Sequence, residues 1–373
     1  MSDPISSVMA SKECDRHRAV LGLIFHSNSN PRTAHYIDSV REYLRTSQTC
    51  IVPRRFANDL LLMMEKLDES LRPKDPRIDG DLLRISANLS RLAEKITCNT
   101  ELTIPYQGDK GQTYLELFVG KKLRWESVGI YCALVACSLV HAQQSVGNFD
   151  IPRMIEASSM CVDICRRIGP INEMGVLSIY QNLMATSQHY GDKDKRTRSQ
   201  LSELANAIVE SGLNKDEKGV DVPPRLIGLR RCLLVASLTI DETICAADSC
   251  RELIKQCHVD NLEGNGDPWV WPISSGYGPQ TWVQLRFALV NLRVILKIIL
   301  GTAGNTTATV AVSVVECYSL WWNKLPRYLR YPELFAGKDT AENARQIRLL
   351  VASAYLEFLC IKLEAHPPKG AIP

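Results

Sequence analysis

The most constraining feature of the sequence is the segment over residues 122–142, which is apolar on nearly every helical face after Glu126. A helix that is hydrophobic all round is buried on most sides, either in a protein core or in a membrane. This segment is too short and too clearly bounded by polar residues for a bilayer span. It therefore predicts a central buried helix with other helices packed around it.

The rest of the sequence carries amphipathic patterns of helical period, and convincing strand-type alternation is missing. The approximate helical ranges are 31–45, 54–67, 81–96, 122–142, 152–168, 171–191, 201–211, 225–247, 283–301, 307–322 and 341–363. We therefore predict an all-α protein built on one large multi-helix domain. Its predicted limits are residues 30–366, with an N-terminal extension (1–29) and a C-terminal tail (367–373).

The charge balance bears on possible partners. Lysine and arginine number 44 and aspartate and glutamate 41, so the formal net charge is only +3. Non-specific nucleic-acid binding usually needs a larger basic excess, so direct nucleic-acid binding is not expected.

The first twenty residues contain no apolar segment ahead of their charged residues, which argues against a secretory signal peptide. We therefore expect an intracellular protein, cytoplasmic unless it acts in the nucleus.

The thirteen cysteines are dispersed, and several lie between aliphatic residues, among them Cys132, Cys137, Cys232 and Cys360. In a reducing compartment such cysteines are expected to be buried thiols. The closest pairs lack the CxxC spacing of structural zinc sites, so no metal site is predicted. The GxGxxG, phosphate-loop, GxSxG and HExxH motifs are also missing, and no cofactor is predicted.

Residues 191–216 begin with four cations, at positions 193, 195, 196 and 198. Such a cluster could be a nucleic-acid arm or a polar turn between two packed helices. Gly191 is placed to end one helix and Thr197 or Ser199 to cap the next, whose apolar residues follow a 3.6 period from Leu201. We therefore predict a solvated surface turn, because an isolated cluster is weak evidence for phosphate contacts.

Several short motifs occur in a fixed order along the chain. They are R-W-E-S-V-G at 124–129, Y-Q-N-L at 180–183, G-D at 191–192, the segment 205–216 ending in G-L-N-K-D, and the helix 230–241 that begins R-R and ends in Asp. Together they resemble the middle homology region of fungal-specific transcription factors, from about residue 30 to 330. The resemblance implies an all-α regulatory-type domain with an internal apolar cavity.

Two departures from this family bear on function. The family's DNA reader is an N-terminal zinc cluster of six closely spaced cysteines, whereas the first 99 residues here contain only Cys14, Cys50 and Cys98. In addition, the Trp-Arg start of the fourth motif is replaced by R-T-R-S-Q-L, and the G-R-P turn by A-A-D-S-C-R-E. The sequence therefore offers no means of reading bases.

Three functions stay open at this stage. The first, which we favour, is a cofactor-independent enzyme of fungal secondary metabolism, a cyclase or pericyclase that folds a bulky apolar metabolite. The second is a transcriptional co-regulator that acts through partners, and the third is a ligand carrier. A regulator without a DNA-binding module can no longer act directly on transcription. A ligand-binding cavity does not depend on that module, so an enzyme could keep its activity without it. No membrane span is expected, and a homodimer is left open.

The candidate site residues are polar or aromatic groups on largely apolar helix faces. The candidate catalytic residues are Tyr180, His189 and Asp241. The candidate substrate-binding residues are Tyr131, His141, Glu242, Trp269, Trp271, Tyr277 and Trp282. The rings of the stretch 261–282 either cover the core or form the wall of a ligand cavity. Asp241 has an alternative role in an internal ion pair, and each histidine an alternative as a hydrogen-bonded core residue.

Overall fold

The computed structural model describes residues 4–25, 32–71, 79–104, 114–142, 150–215, 224–247, 253–254, 279–301, 307–330 and 342–365. These residues form helices and their connections, with no strand among them, which confirms the all-α class. By contacts the chain divides into two units. The first comprises Met1–Arg45, Val52–Leu233 and Ile244–Asn261, and the second Thr46–Ile51, Leu234–Thr243 and Leu262–Pro373. The domain limits at residues 29 and 366 stay predictions.

The helices follow one another along the chain with short 3₁₀ turns between some of them. Their bounds are α1 Pro4–Phe25, α2 Arg32–Thr46, α3 Arg54–Leu71, α4 Asp79–Glu101, α5 Trp125–His141, α6 Asp150–Ile168, α7 Glu173–Tyr190, α8 Lys195–Glu210, α9 Pro224–Ala247, α10 Pro279–Gly301, α11 Thr307–Lys324 and α12 Glu342–Ala365. The 3₁₀ helices are Tyr114–Phe118, Gly120–Lys122 and Arg327–Leu329.

Helix α5 is the centre of the first unit, as its sequence predicts. Every residue from Trp125 to Leu139 is buried. Helices α6 and α7 pack along it, and α3 and α4 contact it as well. A helix without a polar face can be accommodated only when neighbours cover all its sides, and here they do.

Gly129 lets α5 lie very close to α6 and α7. A Cβ atom at this position would be 2.4 Å from the Ser178 Oγ and 3.2 Å from the Cys161 Cβ. The Gly129 carbonyl in turn accepts a hydrogen bond of 3.0 Å from the Ser158 hydroxyl. The glycine of the R-W-E-S-V-G motif is therefore a close-packing residue.

The connection between α7 and α8 is a short polar turn, but α8 begins earlier than the sequence predicts. Gly191 ends α7 with a φ of 90°. The N-cap of α8 is Asp194 rather than Thr197 or Ser199, and its carboxylate accepts from the Arg196 amide at 2.8 Å. Thr197 is fully buried and donates to the Gly191 carbonyl at 2.8 Å. The helix starts early because an aspartate is as good an N-cap as a serine or threonine.

Residues 4–25 form a helix that packs against α4 and α6 within the first unit. Arg16 forms an ion pair of 2.6 Å with Asp163 on α6. His17 lies 3.1 Å from the Thr97 hydroxyl on α4, and its ring stands 5.5 Å from the ring of Trp125. The N-terminal segment therefore contributes to the core of this unit.

The second unit has its own core, formed by α10, α11 and α12. The Trp322 ring of α11 stacks on the Phe358 ring of α12, with 5.2 Å between their centroids and 10° between their planes. The buried residues of this core include Leu285, Leu289, Leu292, Leu296, Ala311, Val315, Tyr318, Val351, Ala354 and Ile361. Their spacing of three and four residues along each helix is typical of helices that share one apolar seam.

The cysteine predictions are confirmed for three of four residues. Cys132, Cys137 and Cys232 are buried thiols. Cys360 is exposed, so that part of the prediction is wrong. Its neighbours are apolar, but α12 turns Cys360 away from the core while Phe358 and Ile361 face it. Aliphatic neighbours in sequence therefore do not by themselves indicate which face of a helix a thiol occupies.

Candidate functional site

Three buried clusters of charged side chains stand out among the described residues, two in the first unit and one in the second. In the first unit, Arg124 is almost fully buried and caps the carboxyl end of α4. Its guanidinium donates to the carbonyls of Asn99 (2.5 Å), Thr100 (2.7 Å) and Leu102 (2.8 Å). The last carbonyls of a helix have no partner within the helix, so a guanidinium there satisfies them directly.

Glu126 joins this cap to the start of α7. Its Oε1 accepts from the Arg124 Nε at 3.3 Å and from the Asn172 Nδ2 at 2.7 Å. Asn172 is at the same time the N-cap of α7, with its side-chain oxygen accepting from the Gly175 amide at 3.0 Å. The arginine and glutamate of the R-W-E motif therefore connect two helix ends, which is a structural role.

A second ion pair in this unit ties α7 to α9. Arg230 pairs with the buried carboxylate of Glu173, and it also donates to the Gly212 carbonyl at 3.0 Å. The Tyr114 hydroxyl donates to the other oxygen of Glu173 at 2.8 Å. Gly212 follows the end of α8 with a φ of 65°, so Arg230 holds a helix end just as Arg124 does. Both clusters of the first unit therefore hold helix ends, although the Glu126 Oε2 is also buried without a hydrogen-bond partner among the described residues.

The charged cluster of the second unit lies between α9, α10 and α12. Arg293 donates to the Glu242 Oε1 at 2.7 Å and lies 3.3 Å from the Glu357 Oε1. Arg286 pairs with the same Glu357 and donates to the Thr243 hydroxyl at 3.2 Å. Two arginines thus meet two carboxylates, and the formal charges of these four groups cancel.

Burial and two neighbouring charges shift the pKa of Arg286 in different directions. Burial lowers the pKa of its guanidinium, the Glu242 carboxylate raises it, and Arg293 lowers it. An arginine pKa starts so high that the group stays charged at neutral pH. The Arg286 guanidinium also lies 5.6 Å from the centre of the Trp282 ring. The cluster is therefore a fixed arrangement of charges beside an indole.

Glu242 carries the one unusual feature of this cluster. Its side chain is 3% exposed, and its Oε2 is buried without a hydrogen-bond partner among the described residues. A buried carboxylate oxygen normally has at least one donor, because leaving it without one is costly. The oxygen could therefore accept a hydrogen bond from a bound molecule or from a water. The preceding residue, Asp241, is also buried.

The candidate catalytic residues Tyr180 and His189 both lie on α7, in the first unit, whereas Asp241 lies in the second. Nine residues separate Tyr180 from His189, which is roughly 13 Å along the axis and two and a half turns, so they project from opposite sides of the helix. Tyr180 is buried, and His189 is partly buried against Tyr190 with 4.4 Å between the rings. Burial, and to a lesser degree Arg196, lowers the pKa of His189.

Tyr131 and His141, both on α5, occupy different environments. Tyr131 is completely buried, and burial raises the pKa of its hydroxyl well above the ordinary value, so the group is neutral. Its oxygen has no hydrogen-bond partner among the described residues. His141 is exposed at the last turn of α5, edge-on to Tyr43 at 5.5 Å. The two residues therefore do not share one surface of α5.

Of the four aromatic candidates, only Trp282 can be placed. It lies in the first turn of α10, partly buried against the core of the second unit. Trp269, Trp271 and Tyr277 fall outside the described residues. The structure therefore joins Glu242 and Trp282 within one unit through Arg293, Glu357 and Arg286. Asp241 is the chain neighbour of Glu242, and no contact joins it to this cluster among the interactions described above.

Sequence reasoning missed Arg286, Arg293 and Glu357 as members of a site. A signal was present, because Arg286 and Arg293 are two turns apart in a strongly apolar helix. From the sequence alone, arginines in such an apolar helix argue only against a membrane span. That expectation agrees with the structure, in which no described helix is both long and apolar enough to cross a bilayer.

The described residues contain no group of three or more metal-ligating side chains. Comparisons of the chain with protein-family models, with curated proteins and with solved structures find no match.

Proposed function

We propose that this chain has the fold of the middle homology domain of fungal-specific transcription factors. The support is that the motif residues occupy positions where a scaffold needs them. Arg124 and Glu126 join two helix ends, and Gly129 allows three helices to pack closely. Arg230 holds the end of α8. If the chain resembles this family in its fold, its motif residues should stabilise one helical unit. The motif residues named here do so.

We further propose that the protein is a cofactor-independent enzyme that folds a bulky apolar metabolite and promotes its cyclisation or rearrangement. The observation that carries this proposal is the buried Glu242 Oε2, which lacks a donor within a charged cluster beside Trp282. A hydroxyl of the guest would donate to this oxygen, and the indole would provide a rigid apolar surface. Such contacts hold a flexible chain in a reactive conformation, which is a major source of rate acceleration in intramolecular reactions.

The two arginines have a distinct role in this proposal. Arg286 and Arg293 are held by Glu357 and Glu242, so their positions do not depend on the guest. Donors that are fixed in advance stabilise negative charge that develops in a transition state. Asp241 stays a candidate because it adjoins Glu242. Tyr180 and His189 face opposite sides of α7, so one guest of ordinary size would contact at most one of them.

The test is a binding and turnover screen with a panel of apolar alcohols, including terpene alcohols and hydroxylated polyenes, each paired with its methyl ether. A hydrogen bond to a charged acceptor contributes about 1.5–3 kcal/mol, so the ether should bind about 10- to 100-fold more weakly. Chromatography coupled to mass spectrometry would detect products that have the mass of the substrate. Binding without turnover would favour the carrier function.

Variants test the residue assignment. Glu242→Gln and Trp282→Phe should each reduce the preference for the alcohol or the affinity for the panel. Glu65→Gln is the matched control, because it removes the same carboxylate from the exposed pair with Arg41 at 3.0 Å. Melting curves would establish that each variant is folded. An alcohol preference that survives in folded Glu242→Gln would remove Glu242 from the site.

A second candidate function is a transcriptional co-regulator that acts through partners. It is favoured by the fact that both charged clusters of the first unit serve the scaffold, as they would in a purely regulatory domain. Nuclear accumulation and altered transcript levels, with no product from any compound of the panel, would support this function over the enzyme.

A further inference from the structure

The two carboxylates of the charged cluster in the second unit are paired unequally. Glu357 uses both of its oxygens, because its Oε1 lies 3.3 Å from the Arg293 Nη1 and its Oε2 pairs with Arg286. Glu242 uses one oxygen, since its Oε1 accepts from the Arg293 Nη1 at 2.7 Å and its Oε2 has no hydrogen-bond partner in the described part of the chain. One nitrogen of Arg293 is therefore shared by both carboxylates.

Burial makes this distribution the reverse of what stability alone would favour. The Glu242 side chain is 3% exposed, whereas that of Glu357 is 14% exposed. An oxygen that water reaches loses little without a protein donor, but a buried oxygen without one bears the full cost of desolvation. The arginines would therefore be expected to satisfy Glu242 first. The structure instead gives two arginines to the more exposed carboxylate and a single contact to the more buried one.

A different orientation of Arg293 would give the Glu242 Oε2 a partner. The N–H groups of a guanidinium form a planar fork that matches both oxygens of one carboxylate, and such bidentate pairs are stronger than single contacts. Arg293 is already within reach of Glu242, at 2.7 Å. The contact is nevertheless single, so another interaction must oppose the fork.

We propose that Glu357 is a positioning residue that keeps the Glu242 Oε2 open by competing for Arg293. The Glu357 carboxylate attracts the same Nη1 and draws the guanidinium away from the position in which two nitrogens would contact Glu242. This inference rests on the proposed function for the use of the open oxygen, which accepts a hydrogen bond from the hydroxyl of the guest. Glu357 then sets the preference for an alcohol without contacting the guest.

Arg286 holds Glu357 in the place that this competition requires. It pairs with the Glu357 Oε2 and donates to the Thr243 hydroxyl at 3.2 Å. That hydroxyl donates in turn to the Thr239 carbonyl at 2.8 Å, so the contacts run from α12 to the backbone of α9. Glu242 precedes Thr243 on the same helix. The separation of the two carboxylates is therefore maintained by contacts that do not involve Arg293.

Crystal structures test the competition without any ligand. Glu357→Gln removes the charge but keeps the shape of the side chain, so Arg293 should turn and place two nitrogens within hydrogen-bond distance of the two Glu242 oxygens. The unmodified protein should show one such contact. Because Glu357→Gln also leaves Arg286 as a buried cation without its carboxylate, a second variant guards against loss of the fold. Arg286→Met/Glu357→Gln removes both charges, and the pair that stays behind should form the same fork.

Binding of farnesol and of its methyl ether, followed by tryptophan fluorescence, tests the consequence for specificity. The unmodified protein should bind the alcohol about 10- to 100-fold more tightly than the ether, and in the Glu357 variants this ratio should fall below about threefold. The reason is that Arg293 then occupies the oxygen that the hydroxyl needs. A purely structural role of Glu357 would weaken both probes equally and leave the ratio unchanged. Glu65→Gln is the matched control, because it removes an exposed carboxylate, and it should keep the ratio.

Three results would overturn the proposal. They are a forked Arg293 on Glu242 in the unmodified protein, a single contact that persists in both Glu357 variants, and an alcohol preference that survives in a folded variant. Failure of both probes to bind the unmodified protein would count against the proposed function instead. The crystal structures would still decide the role of Glu357 in that case, since they require no guest.

Discussion

Replacing Arg124 by alanine is expected to destabilise the first unit strongly. The substitution removes a guanidinium that donates to three carbonyls at the end of α4 and pairs with Glu126 at 3.3 Å. Glu126 is 3% exposed and would keep Asn172 as its donor, at 2.7 Å. The variant thus leaves both a buried carboxylate without its cation and a helix end without its cap.

The size of the expected loss in unfolding free energy follows mainly from the buried ion pair between Arg124 and Glu126. Removing one partner of such a pair costs about 3–5 kcal/mol, most of it from the charge that stays behind. The lost hydrogen bonds to carbonyls would each add about 1.5–3 kcal/mol if they were independent, but water reaches part of the opened site, so the sum overestimates the loss. We expect about 3–5 kcal/mol. With a urea m-value of about 2.5 kcal/mol/M, the midpoint should fall by about 1–2 M.

The assay is urea unfolding combined with hydrogen exchange. Two units need not unfold together, so a single spectroscopic transition is insufficient, and exchange of peptides from the end of α4 and from α5 assigns the loss to the first unit. Arg45→Ala is the control, because its pair with Glu42 is exposed and such pairs contribute little. We expect no resolvable change of the midpoint in that variant.

A second substitution separates the two causes of the loss. If the unpaired carboxylate dominates, adding Glu126→Gln to Arg124→Ala should recover part of the stability, about 1 kcal/mol or more, because the charge is gone. If the lost cap of α4 dominates, the double variant should be as unstable as the single one. A midpoint shift below about 0.3 M in Arg124→Ala itself would refute the reasoning, because the ion pair would then not be buried as described.

Three further predictions follow from packing and titration. Gly129→Ala should cost about 1–3 kcal/mol by overpacking, whereas Gly22→Ala, with nothing within 4 Å of the new Cβ, should be neutral or stabilising in urea unfolding. His189 has a lowered folded-state pKa, so its contribution is complete above about pH 6.5 and declines as the pH falls below that value. The decrease in melting temperature from pH 7.5 to 5.5 should therefore be smaller in His189→Gln, and an equal decrease would contradict the assignment. Iodoacetamide should label the exposed thiols of the native protein and spare the buried ones, because the reagent must reach the sulfur atom to react. The described thiols expected to react, by peptide mapping, are Cys98, Cys317 and Cys360.

The scaffold of the first unit was largely predictable because its signals are local. The all-apolar segment became the buried helix α5, and Gly191 ends α7 as its position predicts. The predicted start of α8 is too late because only Thr197 and Ser199 were considered as caps, whereas the N-cap is Asp194. A cap depends on one carboxylate meeting an amide two residues later, which a search for Ser or Thr beside the apolar period overlooks.

The charged cluster of the second unit could not be predicted in the same way, because its members come from distant parts of the chain. Arg293 lies 51 residues after Glu242, and Arg286 lies 71 residues before Glu357. Periodicity shows which helix face is apolar. A single arginine on that face implies a buried acidic partner, but periodicity does not show which residue that partner is. The partner depends on how α9, α10 and α12 pack, which is a property of the tertiary structure. Glu242 was chosen from the sequence for its apolar surroundings, and its pairing with Arg293 shows why such a charge is tolerated there. A buried acidic residue that falls on an apolar helix face should therefore be sought together with the arginines of equally apolar helices, and both should enter the candidate site as one unit.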